Sequence, residues 1–192
     1  MGVHLVTAQN LVPNGSFEEY PVCPPSVGGL AVQSPPYEPI ITGWYSMGVT
    51  PDYMHYCAGS KASNYPEGNA WGNQVPLDGD GYLSLIVSSQ LPNEREFAAI
   101  ELNQPLEVGI EYHLSMYASD ADGGGIQNLD CSSNNVGLKL FVNPPYFWNS
   151  FDDNLQLEPM NNADVNHSEI LTDSINWTHV TGSIVADHIL IL

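Results

Sequence analysis

Basic residues are almost missing from this chain. Lys61, Arg95 and Lys139 are the only three, against 22 aspartates and glutamates, and the formal net charge is -19. That imbalance argues against nucleic acid and anionic lipid as partners, because either needs a basic patch to offset phosphate repulsion. Long apolar runs are missing too. No stretch approaches the roughly 20 apolar residues that cross a bilayer as a helix, so membrane insertion is not expected. Cysteine is scarce, with Cys23, Cys57 and Cys131 alone. An odd count rules out full internal pairing. No Cys-x-x-Cys and no Cys/His pair at ligand spacing occurs, which argues against a cysteine metal centre. Enzyme signatures are weak: there is no Gly-x-Ser-x-Gly, no His-Glu-x-x-His and no phosphate loop. Helical periodicity is absent over any ten residues, and 15 prolines with 17 glycines disfavour long helices.

What remains is a chain that is 43% hydrophobic and long enough for one domain with a real core. Strand-like runs recur between Gly, Pro, Asn and Asp clusters, at 82–87, 97–102, 111–118, 136–142, 176–185 and 188–192. Tyr112, Leu114 and Met116 alternate with polar neighbours, the period of a half-buried strand. Short helical turns are predicted near Pro51–Met54 and Glu94–Glu96. The polar, Asn- and Asp-rich stretch 143–174 reads as a surface excursion. An all-β sandwich or jelly roll is the natural solution for many short strands. The domain spans 10–192. Residues 1–9 read as the remnant of a signal peptide or an added tail, since Val6-Thr7-Ala8 is shaped like a cleavage site.

Cys23 and Cys57 both lie in turn-rich loops and are the expected disulfide, worth about 3–4 kcal/mol in the chain-entropy view. Cys131 is left as the odd thiol. Asp78-Gly79-Asp80-Gly81 looks like the start of an EF-hand loop, but Ser89 stands where the bidentate Glu belongs. A tight turn with Gly at positive φ is the better reading. Asp120 and Asp122 sit in a Gly-rich stretch that reads as an acidic loop.

Trp44 and Trp177 have strand-like surroundings and are expected in the core. Trp71 and the group Tyr146, Phe147 and Trp148 lie in Gly, Asn and Pro loops. Flat rings there could stack on sugar faces while nearby amides and carboxylates bond the hydroxyls. Packing of those rings onto the sandwich is the alternative. Arg95, the sole arginine, is read as pairing with carboxylates, with a grip on an acidic sugar as the rival role.

The order of motifs carries a resemblance. Asn10-Leu11-Val12-Pro13-Asn14-Gly15-Ser16-Phe17-Glu18-Glu19 leads, followed by Gly43-Trp44, Thr50-Pro51-Asp52-Tyr53, Gly81-Tyr82, Arg95-Glu96-Phe97, Pro105–Tyr112 and Asp173–Trp177. The series resembles galactose-binding-like jelly rolls of the carbohydrate-binding-module kind, found as N-terminal domains of secreted and cell-surface proteins of gliding-type Gram-negative bacteria. The resemblance implies a secreted or cell-surface module that binds polysaccharide or glycan without catalysis. It also implies a structural calcium (Ca2+) at Glu18; the alternative there is a solvated carboxylate. Such folds end on a further strand with an Asp, and this sequence stops at Leu192, so the expectation is either that the strand is lacking or that the fold ends differently. A structural or adhesion module binding other surface proteins or cell wall is the second expectation. A polysaccharide-active lyase or glycosidase is the third.

Overall fold

The computed structural model describes residues 9–27, 40–46, 51–88, 95–123, 132–142 and 162–187. Among these the regular elements are eight strands and one 3-10 turn, an all-β chain compatible with a sandwich. The strands are β1 (Trp44–Ser46), β2 (Asp52–His55), β3 (Gly81–Ser84), β4 (Ala98–Ile100), β5 (Glu111–Ala118), β6 (Val136–Leu138), β7 (Val165–His167) and β8 (Thr178–Val185); the turn is Tyr56–Ala58. They pair antiparallel as β1–β4, β2–β3, β5–β8 and β6–β7.

β5 and β8 form the longest ladder, in register from Glu111↔Val185 to Ala118↔Thr178. Alternation dictates it. Tyr112, Leu114 and Met116 turn inward from β5, and Val180 and Ile184 turn inward from β8. Their polar neighbours stay outside, as the period of 2 requires. Gly182 lets β7 come close: a Cβ there would lie 3.0 Å from Val165 Cγ2. Leu102, Leu106, Leu140 and Ala186 complete this core, with Leu11, Val12 and Tyr112 packed on it. A second core centres on Ile41 and Tyr53, covered by Phe17, Tyr20, Trp44 and Leu83.

Three expectations change. The opening 10–19, the lead motif of the jelly-roll resemblance, is a turn over Pro13–Ser16 rather than a strand. Asn14 closes it: its side chain accepts from the Glu19 N–H (2.9 Å) and donates to the Glu19 and Thr42 carbonyls. Pro51–Met54 is not a helical turn but leads into β2, whose four residues are all buried. A strand covered on both faces shows no alternation, so the period could not reveal it. The excursion 143–174 contains β7, too short for a period to register, with Val165 buried. The run 188–192, Cys131 and the group Tyr146–Trp148 lie outside the described residues.

Trp44 and Trp177 are half-buried rather than fully enclosed. Each indole N–H donates to a carbonyl, Trp44 to Asn14 O (3.0 Å) and Trp177 to Val75 O (2.9 Å). The Cys23–Cys57 disulfide forms, with Cα atoms 5.9 Å apart.

Candidate metal centre

Glu18, His55 and Asp80 converge from three segments, with one donor atom of each lying within 4.8 Å of the others. The backbone around Glu18 is unusual. Asn14 and Phe17 both have positive φ, at 45° and 65°. For a bulky aromatic that is a strained conformation, and such strain persists only where surroundings hold it. Here the Tyr53 hydroxyl donates to Phe17 O at 2.6 Å, and the Phe17 ring packs on Trp44 with centroids 5.0 Å apart. Burial, with Glu18 nearby, holds the Tyr53 phenol far above its ordinary range, so it stays a donor.

The strained turn aims Glu18 at the loop before β3. Its Oε1 accepts from the Asp80 N–H (2.8 Å) and the Gly81 N–H (3.0 Å). Two glycines make room. Gly79 has φ of 65°, and a Cβ there would overlap the Glu18 carboxylate. A Cβ at Gly81 would lie 2.7 Å from His55 Cδ2. The tight turn expected at 78–81 is present, and its glycines serve the approach of two side chains as well as the backbone.

His55 is 2% exposed, ending β2. Tyr20 and Tyr53 flank its ring at centroid distances of 4.6 and 5.4 Å. Nδ1 accepts from the Cys57 N–H at 3.0 Å. Nε2 is buried, has no hydrogen-bond partner and faces Glu18 Oε2 at 3.7 Å. The disulfide through Cys57 and the bond from Asn64 Nδ2 to Pro24 O (3.1 Å) tie the 20–27 segment against this site.

The donor set suits a hard cation. Calcium–oxygen distances are about 2.3–2.6 Å, so donor atoms up to 4.8 Å apart are within reach of one ion between them. Glu18 Oε2 and the exposed Asp80 carboxylate are the oxygens available. Glu18 is about one-third exposed (34%), so its carboxylate is open to solvent.

The other sequence candidates stand apart. Trp71 is half-buried and its indole N–H donates to the buried Asp52 carboxylate, so its polar edge is turned inward. Arg95 is half-buried and engaged by neighbours. Asp122 accepts from the Asn73 N–H (3.0 Å) and packs on Gly72, tying its loop to the 69–73 segment. An open hollow of about 310 Å³ lies between residues 60–63 and 68–70, and its lining holds no carboxylate. No helix among the described residues is long and apolar enough to cross a membrane.

Sequence reasoning named Glu18 and Asp80 separately and missed His55. The signal available was Asp78-Gly79-Asp80-Gly81 with its paired glycines, but nothing local links it to a residue 62 positions earlier. It also passed over the outward face of β5–β8. There the Tyr117 ring stacks on His179, with centroids 4.6 Å apart and planes 16° off parallel. Thr181 Oγ1 lies 2.8 Å from His113 Nε2 on the same face.

Comparison of the chain with protein-family models, with curated proteins and with solved structures finds no match in any of the three.

Proposed function

We propose that the chain is a non-catalytic extracellular carbohydrate-binding module of jelly-roll type, its β2–β3 region clamped by a structural calcium at Glu18 and Asp80. One observation carries the sugar reading: the outward face of the β5–β8 ribbon. Its eight residues are Glu111, His113, Ser115, Tyr117, His179, Thr181, Ser183 and Val185. On a chain of net charge -19 this strip has one carboxylate. His179 fixes one side of the Tyr117 ring and the tyrosine remains 47% exposed. A ring held in place with hydroxyls and an imidazole beside it meets the two needs of a sugar: an apolar face and a hydrogen-bonding edge. Near-neutrality favours an uncharged glycan over an acidic one. The Cys23–Cys57 bond supports an oxidising, extracellular setting.

The chemistry a bound calcium supplies is charge: it would neutralise two carboxylates and cross-link the opening turn to the β3 turn. The chain's own residues hold Glu18 ready through the Asp80 and Gly81 amides.

The test is a panel of neutral and acidic polysaccharides presented to the wild type and Tyr117→Ala, in calcium. The wild type is expected to retain a neutral glycan. Tyr117→Ala should bind it about tenfold more weakly, the scale of one aromatic contact, with stability within about 0.5 kcal/mol. No retention across the panel would contradict the reading.

One observation favours the adhesion reading. Val75 and Ile175 are exposed, Ile175 by 82%, and the Trp177–Val75 and Gln74–Ile175 bonds bring their segments together. Exposed apolar residues grouped in this way suit a protein partner.

A further inference from the structure

A metal held by an imidazole needs that nitrogen's lone pair. In a neutral ring the proton then sits on the other nitrogen, which normally donates to a carboxylate or carbonyl. His55 is wired the opposite way. Its Nδ1 faces the Cys57 backbone N–H at 3.0 Å, and a backbone N–H can only donate. The Nδ1 lone pair is therefore in use, and the neutral ring carries its proton on Nε2. That N–H is buried, unpartnered and aimed at the Glu18 carboxylate 3.7 Å away. Ligation through Nε2 would require the proton to move to Nδ1, against the Cys57 N–H.

The contacts hold this arrangement from several sides. Cys57 is fixed by the disulfide to Cys23. The His55 backbone N–H donates to Asn64 O at 3.1 Å, and Asn64 is fully buried. Tyr20 and Tyr53 pack against the ring, edge-on and tilted. Gly81 lies against Cδ2. A ring flip would put carbon where Nδ1 meets the amide, and would leave that N–H without this acceptor.

We infer that His55 is a positioning residue at this site: it offers its Nε2–H to the Glu18 carboxylate and ligates no metal, and the site in consequence selects a hard, oxygen-loving divalent cation over zinc. The inference rests on the cation reading above. A modest turn of the Glu18 carboxylate closes the 3.7 Å gap to a hydrogen bond. Glu18 would then be held by the Asp80 and Gly81 amides and by His55, with oxygen left for the ion. A site with an available imidazole would favour zinc; a carboxylate and water site suits calcium, magnesium or manganese.

Nitrogen-15 NMR of the histidine rings, on the full oxidised chain, reads the proton directly. The expected result is a His55 ring protonated on Nε2, unchanged by calcium and unchanged by zinc chloride, whatever zinc does at the exposed His113 and His179. Calcium titrations of two variants give a second readout. His55→Phe, which keeps a ring but has no donor, should weaken calcium tenfold or more, the usual cost of losing a ligand's hydrogen-bond partner. His55→Gln, which retains an N–H, should recover most of that loss. A His55 protonated on Nδ1, or a zinc-induced shift of its Nε2, overturns the inference even if calcium binds. Binding of neither ion near Glu18 overturns the cation reading and the inference with it.

Discussion

The β5–β8 ribbon and the Glu18–His55–Asp80 cluster use similar residues to different ends. On the ribbon His113 and His179 stand outward beside hydroxyls and a tyrosine, placed there by strand alternation. In the cluster His55 is buried between two tyrosines, and its neighbours come from positions 18 and 80. The ribbon sorts its side chains by period alone. The cluster sorts them by a disulfide, a strained turn and two glycines that admit side chains against the backbone. Regular structure therefore places a surface, while the irregular loops assemble a constellation of polar groups.

The largest expected effect comes from removing the covalent tie of the cluster. The double variant C23A/C57A should lose about 3–4 kcal/mol of unfolding stability, read from urea midpoints. A loss under about 1 kcal/mol would mean that the 20–27 segment is held by its contacts alone, and would bring the cluster closer to the ribbon in character.

Two glycine substitutions sharpen the contrast. Gly81→Ala puts a Cβ 2.7 Å from a boxed-in His55 ring and 3.2 Å from Met54 O, and should cost about 1–3 kcal/mol. Gly182→Ala on the ribbon meets Val165 Cγ2 at 3.0 Å, a side chain with more freedom to give. Thermal melting should rank Gly81→Ala as the more damaging. The reverse order would mean that β7 is the tighter joint.

The smallest effect lies just before β8. Asp173 accepts from the Asn176 (2.8 Å) and Ile175 (3.0 Å) backbone N–H groups, which hold its carboxyl below the ordinary range. A lowered native value means stability present above the unfolded pKa and lost as pH falls through the native one. Asp173→Asn should therefore match the wild type in strong acid and fall slightly behind it from about pH 4 upward. Urea midpoints across that span test it. A deficit that grew in acid would contradict the assignment.

Legibility in the sequence follows the same division. Strand β5 was predicted with its bounds, because Tyr112, Leu114 and Met116 keep period 2 over eight residues. The Cys23–Cys57 pairing followed from two turn-rich loops and one spare cysteine. β2 was illegible, since its aspartate and histidine are buried by partners far away in sequence. Glu18 and Asp80 were each named, but not as companions, and His55 was missed, since 62 residues and a strained Phe17 lie behind the meeting. Trp71 suggested a platform by its loop setting, and a single bond to Asp52 turns its polar edge inward.

The most direct test of the cluster as a cation site is backbone amide NMR during a calcium titration of the wild type. Saturable shifts are expected at Glu18, His55, Cys57 and 79–81, with β5 and β8 unmoved. Shifts that appear instead around Asp120 and Asp122, or none at Glu18 and Asp80, would contradict the account.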